Sequence, residues 1–176
     1  MDWLNLLKKF VEETAIVVFS FEGDRWKRLA ESRRGINEFT VALPHDSVGA
    51  IKPPTPCLIF CNGDDGDQLY FGLVTSRAPI TTLESRIKVR RAVEIQPQSK
   101  AALLELVSEQ PHSTNLKKRL EQDLPVAMLS AKLGSYLIER LASIDSNQGA
   151  MRAVAESLSA PKHFSGSVAL QADACQ

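Results

Sequence analysis

The hydrophobic positions of this chain change their period along its length. Up to about residue 97 they come in short blocks or alternate with polar residues; beyond it they recur every three or four residues, as on one face of a helix. Trp3, Leu6, Leu7, Phe10 and Val11 sit at helical spacing and predict a short amphipathic opening helix. The β-branched and aromatic run from Ala15 to Phe21 predicts a buried strand that Gly23 ends, and residues 24–34 predict a helix closed by Gly35. Glu38 to Leu43 reads as a second strand, stopped by Pro44. Residues 52–56 hold three prolines, which cannot donate to a ladder, so they are expected outside any central strand. Cys57 to Cys61 is a third strand, joined through the turn-rich Asn62 to Asp67 to a fourth at Leu69 to Ser76, as in a hairpin. Arg86 to Ile95 is the fifth.

The second half reads as helix. Ser99 is an expected N-cap for a helix from Lys100 to Gln110. Leu116, Leu120 and Leu124 recur every four residues, and Pro125 should kink or divide that helix. The segment after it reads as helical to about Ala142, with Met128, Ala131, Ser135 and Ile138 inward. Asn147 is expected to cap a last helix carrying Met151, Val154, Ala155 and Leu158. The predicted class is α+β: a small, mostly antiparallel, barrel-like sheet followed by a helical half. The divisions are 1–97, a helical 98–160 and a loose tail at 161–176.

Length and charge narrow the function. A chain of 176 residues is the size of one domain and buries roughly 70% of its extended surface, so it needs no disulfide or metal to fold. Its 21 basic and 21 acidic residues exclude a general polycation, so any nucleic-acid site must be a local patch. Of the three cysteines, Cys57 and Cys61 share a strand face but lie too far apart along an extended chain to bridge. Thiols in a reducing compartment, the cytoplasm, are the expectation. Asp2, Lys8 and Lys9 break up the N-terminus as a signal sequence would not, and the apolar run from Ala15 to Phe19 is too short to span a bilayer. No membrane partner is expected.

The candidate chemistry lies in the fifth strand. At period two, Ile87, Val89, Val93 and Ile95 point one way and Arg86, Lys88 and Arg90 the other, while Arg91 falls among the apolar positions. From Thr75 to Lys100 there are six basic and two acidic residues, with Arg77 and Lys100 flanking the row. Such a row can neutralise phosphates and release their counterions; it can also defend an edge strand by charge. Arg91 either lines an inward anion pocket, since an unpaired buried guanidinium is costly, or sits in a β-bulge that returns it to solvent. A second basic group, Arg25, Lys27, Arg28, Arg33 and Arg34, surrounds Trp26, which is either a stacking platform or a helix residue packed on the sheet. Tyr70 and Phe71 face opposite ways, so one can stack on a base while the other is core.

Other motifs fail on spacing. The loop from Asn62 to Asp67 lacks the alternating ligands and final Glu of a calcium loop. His45, Asp46 and Ser47 are neighbours on a turn and do not converge as a triad does. Zinc spacing, a Walker loop, a dinucleotide fingerprint and HExxH are all absent from the sequence. Neither an enzyme nor a cofactor is expected.

At Leu69-Tyr70-Phe71-Gly72-Leu73-Val74-Thr75-Ser76 and then Ile87 to Ile95, the chain resembles the PUA superfamily, which includes the EVE, ASCH and YTH domains. The resemblance spans roughly residues 14–97 and implies a small barrel that binds nucleic acid, often holding a modified or flipped base. Few aromatics stand near the pocket it would imply. The stretch from Ala150 to Ala174 resembles the connecting region of longer bacterial proteins that continue into a nuclease-like domain, although no nuclease carboxylates are evident. The leading expectation is therefore a nucleic-acid module, for DNA before RNA, such as the targeting domain of a restriction or phage-defence system. Its contacts would be Arg77, Arg86, Lys88, Arg90 and Arg91, with Trp26 and Tyr70 for stacking. The alternative is an interaction protein whose leucine-rich helices, between 100 and 158, form a homodimer or dock a partner.

Overall fold

The computed structural model describes residues 2–22, 38–63, 66–106, 117–118 and 124–159. The elements are α1 (Asp2–Thr14), β1 (Ile16–Glu22), β2 (Phe39–Pro44), α2 (His45–Val48), β3 (Thr55–Gly63), β4 (Gly66–Pro79) and β5 (Glu84–Glu94). They continue with α3 (Lys100–Leu106), β6 (Val126–Leu129), α4 (Ala131–Ala142), a 3₁₀ turn (Asp145–Asn147) and α5 (Gln148–Ser159). The expected helix at 24–34, the end of the helix beyond Leu106, Leu116, Leu120 and the tail at 161–176 lie outside the described residues. No described helix is long and apolar enough to cross a membrane.

The architecture is α+β, built on one curled, mixed six-stranded sheet in the order β2-β5-β4-β3-β1-β6. β1 and β3 run parallel, and the other neighbouring pairs are antiparallel. Each sheet face carries its own core. On one side α1, α4 and α5 cover Ile16, Val18, Leu58, Phe60, Leu69, Phe71 and Leu73. On the other, residues from all six strands meet inside the curl, among them Val17, Phe19, Phe39, Cys57, Val74, Ile87 and Val126, with Val48 and Ile51 from around α2. β1 is buried on both faces from Ile16 to Phe19, which is why it reads as an unbroken apolar run and not as an alternation. Ala15, at φ 65°, ends α1 in the left-handed conformation, its N–H donating to Val11 O at 2.8 Å.

Local signals held where only neighbouring residues decide. Ser99 caps α3 as expected, its Oγ accepting from Ala102 N–H at 3.1 Å. Ser130, inside the stretch expected to be continuous helix, caps α4 by accepting from Leu133 N–H at 3.3 Å. Gly134, not Ser135, faces inward on α4, because a Cβ there would stand 2.8 Å from Val11 Cγ1 of α1. The glycine sets how closely the two helices approach.

Other expectations are corrected as well. Val126–Leu129 is a strand antiparallel to β1 and not part of a helix. Four consecutive apolar residues between Pro125 and Ser130 satisfy either pattern, and the open edge of β1 takes them. Pro56 does lie in a central strand, but the parallel ladder with β1 begins at Cys57, so no bond to that neighbour is lost. Asn147 does not cap α5. Its fully buried side chain accepts from Gln96 N–H at 2.7 Å and donates to Gln96 O at 2.6 Å and Leu141 O at 3.0 Å, clamping the exit of β5 to the end of α4.

The fifth strand also departs from simple alternation. Phe71 pairs with Val93 and Leu73 with Arg90, so the single residue Gly72 opposes both Arg91 and Ala92. This is a β-bulge, with Arg91 at φ 56°. It shifts the phase of the strand: Ile87, Val89 and Ala92 enter the inner core, whereas Ile95 joins the helix side. Gly72 permits it, since a Cβ there would meet Ala92 Cα at 3.1 Å and Arg90 O at 3.2 Å.

Candidate nucleic-acid interface

Strand β5 lies between β2 and β4, and the sheet edges are β2 and β6. Arg86 and Lys88 have strand partners on both sides and therefore do not guard an edge, while Arg90 stands one residue past the end of the β2 pairing. Arg86 stands opposite Ala42 and Ala78, and Lys88 opposite Thr40 and Ser76. Arg90 stands opposite Leu73, on the helix side of the sheet. The row shares that face with the helices but keeps solvent access: Arg86 is exposed, and Lys88 and Arg90 are half-buried.

Among the described residues, Glu38 is the carboxylate ion-paired with the row. Glu38, just before β2, places Oε1 3.3 Å from Lys88 Nζ and Oε2 3.2 Å from Arg90 Nε. Arg90 Nε makes no aligned hydrogen bond despite this approach, so the contact is Coulombic and not a bidentate fork. Both pairs are partly exposed and therefore individually weak. The row of three cations with one shared carboxylate retains a formal charge of about +2. Arg86 makes no ion pair among the described residues. Sequence reasoning missed Glu38, whose position depends on the β2–β5 register.

The other expected contacts do not all converge on this row. Arg91 does not enter an inward pocket; the bulge turns it to solvent, where it is exposed beside Arg90. Arg77 is exposed near the far end of β4 but pairs with Ile87, on the opposite face, and its Nε donates to Ile51 O at 3.0 Å. A register shift around Thr75 puts it there. Tyr70 packs against the inner core and its hydroxyl donates to Gln68 Oε1 at 3.4 Å, so it does not join the row. Phe71 is core on the helix side. Trp26 and the basic group around it lie outside the described residues.

Elsewhere the chemistry is quieter. His45 Nδ1 lies 2.5 Å from Ser85 Oγ, but Ser85 is fully buried, so the pair pins α2 to β5 and offers no accessible nucleophile. Cys57 and Cys61 are buried thiols; burial pushes Cys57 far above the usual thiol range, partly opposed by a hydrogen bond with the Gly72 backbone, which keeps it protonated and unreactive. A cleft of about 350 Å³ at the C-terminal ends of β1 and β3 is lined by Ser20, Glu22, Asn62, Asp67 and Lys100, whose Nζ stands 5.5 Å from the centre of the Phe60 ring. Among the described residues no three metal-ligating side chains gather. No protein-family model, characterised protein or solved structure matches the chain.

Proposed function

We propose that this chain binds nucleic acid, DNA before RNA, through the solvent-facing row Arg86, Lys88 and Arg90 of β5, with Arg91 beside it. The observation that carries the reading is the placement of cations at alternate positions on a strand that is paired on both sides at Arg86 and Lys88, where edge defence has no purpose. Alternate residues of a strand stand roughly 6.8 Å apart, a spacing that lets successive side chains meet different phosphates of one backbone. Phosphate contact of this kind gives affinity with little sequence information.

Helix-mediated assembly gains no comparable support. Leu103, Leu133, Leu137, Leu141 and Leu158 are buried in the chain's own core, so they are not available as a docking stripe. The PUA-like relationship and a targeting role in restriction or phage defence belong to the same proposal and rest on the sequence resemblance.

The test is fluorescence anisotropy with labelled single- and double-stranded DNA and RNA across a salt series. Three phosphate contacts on duplex DNA give a log–log salt slope near −2.7, or about a 40-fold loss of affinity from 50 to 200 mM salt. The Arg86→Ala/Lys88→Ala/Arg90→Ala variant should lose most of that slope. Binding with an unchanged slope in this variant, or no binding by the native chain at low salt, refutes the proposal.

A further inference from the structure

The β4–β5 hairpin ends in a feature that phosphate binding does not use. All residues from 76 to 84 are exposed, and the connection Ile80-Thr81-Thr82-Leu83 carries two large apolar side chains, Leu83 at 76% and Ile80 at 39% exposure. Among the described residues, the only other exposed large hydrophobic side chain is Leu124. Pro79 and Ala78 precede the pair, extending an apolar tip. A single exposed Leu needs no explanation; two on one turn, next to a cationic strand, call for one.

The tip is held in shape by hydrogen bonds. Thr81 Oγ1 accepts from Leu83 N–H at 3.1 Å and from Glu84 N–H at 3.0 Å, while Glu84 O accepts from Ile80 N–H at 3.0 Å and Thr81 N–H at 3.2 Å. His45 N–H donates to Leu83 O at 2.8 Å, tying the turn to α2. Ile80 and Leu83 are thus presented on a preorganised turn, which lowers the ordering entropy of any contact they make. Arg77 and Arg86 flank the tip from its two strands, and Glu84 is the one carboxylate between Arg77 and Arg91.

We infer that this tip is an apolar wedge that enters a groove of duplex DNA and partly unstacks a base step. The inference rests on the binding function proposed above and adds to it a mode of engagement. Apolar side chains inserted between base steps kink the duplex and expose more backbone to the protein's cations. The direction of the cation row favours a duplex over an anionic lipid surface. From Arg86 to Arg90 the row runs back from the tip for about 14 Å along the strand, so it follows a phosphate backbone when the tip is inserted, whereas a flat bilayer touching the tip meets only its first members.

The experiment uses a duplex with 2-aminopurine beside a central TA step, a deformable site, and reads anisotropy and 2-aminopurine fluorescence together. The native chain should raise the fluorescence as it binds. Ile80→Ser/Leu83→Ser, at two exposed positions, should keep the salt slope, lose the fluorescence rise and bind about 10-fold more weakly; Leu83→Ser alone should show a smaller loss of both. Native binding with its salt slope but no fluorescence rise overturns the wedge and leaves the binding function standing. A double variant that unstacks as the native chain does overturns the wedge as well. No binding by the native chain removes both. Partition onto phosphatidylserine vesicles that depends on Ile80 and Leu83, with no tip-dependent change in the DNA signals, assigns the tip to membranes and overturns the inference.

Discussion

Asn147→Ala tests what joins the sheet to its helices. The substitution deletes three hydrogen bonds, at 2.7, 2.6 and 3.0 Å, made by a fully buried side chain, the one to Leu141 O buried and the two to Gln96 part-buried. A net hydrogen bond is worth about 1 kcal/mol, and a buried group left unpaired costs about 1–3 kcal/mol. Gln96 is exposed and regains water, and Leu141 O still accepts from Ile144 N–H at 3.2 Å, so the lower part of the range applies. The expected loss is about 2–3 kcal/mol, a Tm fall on the order of 5–10 °C for a chain of this size. Asn147→Asp sharpens the test. It replaces the Nδ2 donor with a carboxylate oxygen facing the carbonyls of Gln96 and Leu141, which is worse than a void while the group is ionised. Burial and those carbonyls raise the folded-state pKa of the introduced acid above its unfolded value near 3.9. Folding is therefore least penalised below about pH 4, and stability falls as pH rises through the raised pKa. Urea titrations followed by circular dichroism from pH 4 to pH 8 read both variants. A loss under about 0.5 kcal/mol for Asn147→Ala, or an Asn147→Asp variant at pH 7 as stable as Asn147→Ala, refutes the reasoning.

Three further outcomes are expected. Glu38→Gln removes the carboxylate shared by Lys88 and Arg90 and should tighten DNA binding several-fold at low salt, as anisotropy would show, with only about 0.5 kcal/mol lost in urea unfolding. Arg91→Gly relieves a non-glycine left-handed residue and should raise stability by up to about 1 kcal/mol; if Arg91 meets a phosphate, the salt slope drops by about 0.9. Gly134→Ala gains helix propensity but drives a Cβ to 2.8 Å from Val11 Cγ1 and 3.3 Å from Ile16 Cγ1, so a net loss of about 1–2 kcal/mol is expected by thermal unfolding.

What the sequence determined by itself is what neighbouring residues settle among themselves. The spacing of Trp3, Leu7 and Val11 marked α1; the blocks at 15–21, 57–61 and 69–76 marked strands; Ser99 marked a helix start. In each case backbone propensity, capping and one buried face agree within a few residues. The cationic face of Arg86, Lys88 and Arg90 was equally legible, because strand alternation needs no partner. Tertiary structure decided the rest. The four apolar residues of β6 became strand only because β1 had an open edge, and the parallel pairing of β1 with β3 is invisible to local pattern. The phase change at Arg91 follows from Gly72 opposite it, where the missing side chain lets the two backbones approach, and that pairing is set by the β4–β5 register. Glu38 reached Lys88 and Arg90, and Asn147 reached Gln96, through contacts between segments distant in sequence. Periodicity tells which face of an element is buried; register and chain crossing, set by the whole packed core, tell what that face and its opposite will meet.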